Sequence, residues 1–247
     1  MLFTNYNKIM KKQLNNRAEM SIFEHLEELR QRFFIAFTIF CATTVTCFLY
    51  IKNISFLLQK PAIGVKFLQL APGEYLFASI KVAIYTGILL SSPFTIYQIL
   101  LFILPGLTQK EASFLIPTLS SSIILFFLGI LFSYQFLAPA ALQFLIHYGA
   151  DIVEPIWSFE QYFNFILLLL FSTGLAFQIP VIQVILGLFD ILSSQKMLSY
   201  WKYAIFISTI IGAILTPSTD PITQILMSSA ILLLYFIGIM LLKAFNK

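Results

Sequence analysis

Charge is scarce in this sequence: 11% of its residues are Asp, Glu, Lys or Arg, while 59% are hydrophobic. A water-soluble chain carries about a quarter charged residues, so this one has too little polar surface to cover a core in water. Cysteine and histidine are scarcer still, at two each. Cys41 and Cys47 lie six positions apart in an apolar run, roughly 9 Å of helical rise, beyond disulfide reach. They read as small hydrophobes. His25 and His147 are far apart, and no C-x-x-C or H-E-x-x-H spacing occurs, which argues against a metal enzyme. The net charge of +4 comes without a basic stripe interleaved with aromatics, so nucleic acid is not an expected partner. The serines at 91–92 and 120–122 have no acid–base partner at hand and read as close-packing residues. No enzyme and no cofactor is expected.

What the sequence does have is long apolar runs, and its mean hydropathy is +0.89. The expected solvent is lipid. The runs predict an all-α integral membrane protein of six transmembrane helices, at about 33–50, 75–104, 112–137, 162–188, 203–215 and 222–242. Residues 1–20 form a basic, Asn-rich segment without the apolar stretch of a signal peptide, expected to be a flexible tail. Residues 21–247 form a single membrane domain. Ser21-Ile-Phe-Glu24 and Ser158-Phe-Glu-Gln161 are capping boxes, and Asp220-Pro221 reads as N-cap plus Pro at the first helical position. Pro93 and Pro180 should bend their spans, and Pro139 should bound the third. The segments 52–73 and 138–160 read as loops with a short helix each.

Orientation follows from Lys and Arg. If the N-terminus is cytoplasmic, eleven of the fifteen basic residues fall on that side. Three (Lys52, Lys60 and Lys66) fall opposite, and Lys81 snorkels near the outer end of the second span. Both termini are therefore expected on the cytoplasmic or stromal side.

The candidate residues have simple readings beside any functional one. Thr108-Gln-Lys-Glu111 caps the third span, and an acid there suits the helix dipole; the same Glu111, held at the membrane surface, is an acceptor for an incoming arginine. Glu24, Glu27 and Glu28 with Arg30 and Arg32 make a self-paired helix face. Gln178, just before Pro180, is a large amide at membrane depth. It calls for a partner on another helix, at Ser172 or Thr173, or at the carbonyl that the proline frees.

In order along the chain stand HLEELRQR (25–32), LAPGEYLFASIKVAIYTGILLSSPFTIYQILLFILPGL (70–107), KE (110–111), GLAFQIPV (174–181) and LTPSTDP (215–221). This series, from Ser21 onward, resembles the TatC family, the multispanning receptor subunit of the twin-arginine protein translocase. The resemblance implies six helices and binding of twin-arginine signal peptides of folded cargo. It also implies proton-motive-force-driven transport with single-span TatA-like and TatB-like subunits in an oligomeric complex. Carried over residue by residue, it assigns signal-peptide binding to Glu111, Phe102, Glu28, Arg30, Leu107 and Lys110. It assigns intramembrane or partner contacts to Gln178 and Tyr134, and an outer-side motif to Asp220. Many bacterial members have Glu where Gln178 stands, so a proton-titrating role is in doubt there while a hydrogen-bonding one survives. The Gln, with Phe/Ile/Asn/Lys-rich usage, resembles plastid and cyanobacterial members and points to a plastid-encoded thylakoid protein; bacterial and mitochondrial inner membranes stay open. A small-solute transporter would need several intramembrane charges and a repeat, neither of which is visible. An assembly scaffold without a substrate stays open as well.

Overall fold

Prolines and small polar residues decide where the helices of this chain break and where they continue. The computed structural model describes residues 22–62, 64–103, 109–148, 152, 154, 156–216 and 220–244. The expected tail 1–20 and the N-cap Ser21 lie outside them. Helix α1 runs Ile22–Leu49 and is followed by the short α2, Ile51–Gln59. A three-residue strand β1, Lys66–Leu68, leads through the Pro72-Gly73 turn into α3, Glu74–Ile103. Gly73 has φ +83°, the left-handed conformation that glycine adopts without steric cost.

Pro93 does not interrupt α3. The ring removes the bond to the carbonyl four residues back, and the Ser92 hydroxyl donates to that same carbonyl, Leu89 O, at 2.7 Å. The helical run that begins with α4, Gln109–Phe132, likewise continues past Pro139, which was expected to bound it. A wide π turn at Ser133–Leu137, in which Ala138 N–H bonds Ser133 O, joins α4 directly to α5, Ala138–Tyr148. The extra residue in the turn opens the ladder just ahead of the proline and lets the helix axis continue. The short helix expected within 138–160 is α5, but it continues the preceding helix where a loop was expected to separate them.

Strand β2, Ile156–Ser158, precedes α6, Phe159–Ala176, and α7, Ile179–Leu188. Pro180 was expected to bend this span; it goes further and divides the run into two helices, with Phe177–Gln178 as the joint. Ser158 N-caps α6 by accepting from Gln161 N–H at 3.3 Å. After α7 come α8, Ser194–Ser199, α9, Trp201–Leu215, and α10, Pro221–Ala244. Asp190, in the turn before α8, has φ +57°, which aspartate tolerates better than most residues.

Among the described residues, five stretches are long and apolar enough to cross a membrane: Phe23–Leu49, Glu74–Ile99, Ser120–Tyr148, Phe159–Leu188 and Pro221–Ala244. The expected span in α9 is shorter, at 15 residues, about 22 Å against a hydrocarbon core of about 30 Å. Its last carbonyl, Leu215 O, accepts from Ser172 Oγ at 3.1 Å, roughly 20 Å along α6 from that helix's start. The end of α9 thus lies beside the last turn or so of α6.

The α6–α7 stretch is the centre of the bundle, with 61% of its most apolar window buried, whereas α1 is peripheral at 6%. Phe163, Ile166, Leu167 and Leu169 of α6 are all within 1% of complete burial. Helix α1 packs mainly on α3 at a close crossing: a Cβ on Gly87 would lie 2.2 Å from Thr44 Oγ1 and 3.0 Å from Thr44 Cα. Among the described residues the fold is all-α apart from one feature that periodicity did not predict. Strands β1 and β2 pair in parallel, Lys66 opposite Ile156 and Leu68 opposite Ser158, tying the two expected loops together.

Candidate functional site

At the end of the bundle where α1 begins and α3 ends, two helices from distant parts of the sequence meet side chain to side chain. The ring of His25 stacks on that of Phe102, with centroids 4.3 Å apart and planes 13° from parallel. One turn along α1, Glu28 is largely buried and binds Arg32, whose Nε and Nη2 both donate to Oε1. Arg32 also reaches across to Gln98 Oε1 of α3 at 3.4 Å. The other carboxylate oxygen, Glu28 Oε2, is buried without a hydrogen-bond partner among the described residues and lies 4.0 Å from His25 Nδ1. Arg30 stays apart from this cluster, paired with Glu27 at 2.6 Å on the exposed face of α1, where such a pair contributes little.

Of the sequence candidates, Glu28 and Phe102 are thus brought together by the α1–α3 contact, and Arg30 is turned away. Lys110 and Glu111 stand in the first turn of α4. Their side chains, with Leu107 and Thr108, lie outside the described residues.

Below this end an apolar groove runs between α1, α3 and α6, lined by Phe33, Phe37, Ser91, Thr95, Phe171 and Gln178. Gln178 at the α6–α7 joint is clasped to Ser122 of α4 by two bonds. Its Nε2 donates to Ser122 O at 3.1 Å, and Ser122 Oγ donates to its Oε1 at 2.5 Å. Of the partners considered from sequence, the one on another helix is therefore the one formed.

The opposite end is braced by polar contacts. Glu74, the first residue of α3, accepts from Leu70 N–H at 2.5 Å, Ala71 N–H at 3.2 Å, Ser158 Oγ at 2.5 Å and Glu160 N–H at 3.1 Å. Lys81 forms an ion pair with Glu160 where snorkelling alone was expected. Tyr134, in the π turn, donates to Leu57 O at 2.8 Å, and Tyr162 of α6 donates to Leu58 O at 2.6 Å. The two hydroxyls bond carbonyls in the last turn of α2, where helical carbonyls run short of backbone donors; Leu57 O also accepts from the capping Lys60 N–H at 3.2 Å. Asp220 is 1% exposed and caps α10, accepting from Thr223 N–H at 2.8 Å and from the Thr223 hydroxyl.

Sequence reasoning passed over His25, Arg32, Gln98, Ser122 and Glu74. Four of these stand inside the quoted motifs, but nothing in their local spacing shows which residue on another helix each would meet.

The family model described as the Sec-independent protein translocase protein TatC matches residues 24–229. The tatC-like protein ycf43 of Gracilaria tenuistipitata var. liui is 70% identical over 238 residues, 96% of this chain and all of that one. The Sec-independent protein translocase protein TatC of Synechocystis sp. is 53% identical, covering 93% of this chain and 91% of its own. A crystal structure of the twin-arginine translocase receptor TatC superposes with a TM-score of 0.77 at 35% identity, over 90% of this chain and all of that one.

Proposed function

Since this chain belongs to the TatC family of Sec-independent protein translocase proteins, we propose that it is the receptor subunit of a twin-arginine translocase, binding signal peptides that carry paired arginines. The observation that carries this reading is the state of Glu28. One carboxylate oxygen is held by Arg32, and the other is buried without a hydrogen-bond partner among the described residues, beside the His25–Phe102 stack. An unpaired carboxylate oxygen next to an aromatic ring is a setting that a planar guanidinium fits and an ammonium fits less well. Glu111, at the start of α4, supplies the second carboxylate, with Lys110 beside it and Leu107 four positions earlier in the sequence as further contacts. Two opposite charges 4 Å apart attract by about 4 kcal/mol at an effective dielectric of 20, before desolvation is subtracted. The apolar groove below Glu28 takes the hydrophobic part of the signal and supplies most of the affinity.

The chain is a multi-span protein of a thylakoid or bacterial membrane, in keeping with its plastid, chloroplastic and cyanobacterial relatives. In the proposed topology α9 is the fifth of six crossings, and both termini face the cytoplasm or stroma. Single-span TatA-like and TatB-like subunits complete the translocase. Gln178 serves by hydrogen bonding and does not titrate. The test is binding of paired-arginine and paired-lysine forms of one signal peptide to the purified chain in nanodiscs. The arginine form should bind at least tenfold more tightly, and equal binding would contradict the reading.

A further inference from the structure

Phe102 stands in the last turn of α3, the point where the described chain leaves that helix. A ring at a helix exit keeps a fixed direction only if something packs on its face. That face is covered by the imidazole of His25, near-parallel and at stacking distance. The same imidazole turns its Nδ1 edge towards the open oxygen of Glu28, at 4.0 Å, which is too far for a hydrogen bond. It therefore borders the oxygen without occupying it. Glu28 itself is fixed by Arg32, which is anchored to Gln98 of α3. Two α1–α3 contacts, one aromatic and one polar, thus flank a single unfilled acceptor.

We propose that His25 is a positioning residue for arginine recognition: its ring holds Phe102 from one side and leaves Glu28 Oε2 unpaired, so that the other face of Phe102 and the acceptor stand in fixed relation to an incoming guanidinium. This rests on the arginine-reading function proposed above. A flat fork that must meet an aromatic face and a carboxylate together depends on that relation, whereas a lysine ammonium, as a point charge, depends on it far less. Losing the ring should therefore weaken arginine binding selectively.

The experiment measures binding of paired-arginine and paired-lysine signal peptides to the full-length chain in nanodiscs for the wild type, His25→Ala, His25→Phe, Phe102→Ala and the His25→Ala/Phe102→Ala double variant. His25→Ala should weaken the arginine peptide roughly five- to tenfold and leave the lysine peptide within about twofold. His25→Phe, which retains a stacking ring, should restore most of the loss. The double variant should be no worse than the weaker single one, because both remove the same contact. Unchanged arginine binding in His25→Ala, an equal loss for both peptides, or no rescue by His25→Phe would each overturn the proposal. If His25→Ala does not fold, His25→Phe decides: it must keep the arginine preference. A wild-type chain without that preference would refute the arginine-reading function, and this inference with it.

Discussion

Gln178 and Ser122 hold each other by two hydrogen bonds, amide to carbonyl and hydroxyl to amide, across the gap between the α6–α7 joint and α4. The proline that breaks α6 from α7 leaves a joint with fewer backbone bonds of its own. The amide at that joint turns outwards to a neighbouring helix. Replacing Gln178 with Leu removes both bonds and leaves the Ser122 hydroxyl seeking a partner. Interhelical bonds of this kind are worth about 0.6–2 kcal/mol in membranes, so Gln178→Leu should lower stability by about 1–2 kcal/mol. Ser122→Ala, which removes only one bond, should cost less. Thermal unfolding of both single variants and the double variant in detergent checks this, with the double close to Gln178→Leu alone.

At the far end of the bundle, Glu74 gathers four donors from three segments. Glu74→Ala leaves all four unsatisfied at once, so it should be the most damaging single substitution in that region. Glu74→Gln keeps one acceptor but points an amide N–H₂ at donors, and should fall between alanine and wild type. Limited proteolysis of the segments 60–73 and 149–158, with melting temperature alongside, gives the order.

Tyr134 and Tyr162 close the end of α2 through their hydroxyls. Tyr134→Phe and Tyr162→Phe should each cost about 1 kcal/mol. Their signature is local: faster hydrogen exchange at Leu57–Ala62, with the amides of α6 unchanged.

The α1–α3 crossing sets the recognition end. A side chain at Gly87 meets the backbone of Thr44 as well as its hydroxyl, so relief requires α1 to move. Gly87→Leu should destabilise by about 1–3 kcal/mol and separate His25 from Phe102. Cysteines placed at 25 and 102 would then lose their cross-link in the Gly87→Leu background.

How much of this could be read from the sequence depends on how far apart the interacting residues are. Helices appeared because apolar runs are local, and so did the Ser158 and Asp220 caps and the bend at Pro180, each written within four or five residues. Pro139 misled because a π turn five residues long absorbs a proline without ending a helix, and its register has no sequence period of its own. The β1–β2 ladder escaped because each strand has only three residues and pairs across ninety positions. The site was half legible. Motif resemblance picked out Glu28 and Phe102, but the Phe102–His25 stack, the Lys81–Glu160 pair and the Gln178–Ser122 clasp each join residues more than fifty positions apart. Only packing creates such contacts.

The central claim is that carboxylates at this end of the bundle read arginine pairs, and Glu111 tests it most directly. The measurement is photo-cross-linking of a twin-arginine signal peptide to the full-length chain in membrane vesicles, wild type against Glu111→Ala. The account predicts that Glu111→Ala inserts and folds normally and loses at least nine-tenths of the cross-link, roughly the effect of about 1.4 kcal/mol or more. A variant that cross-links the peptide as well as the wild type would contradict it.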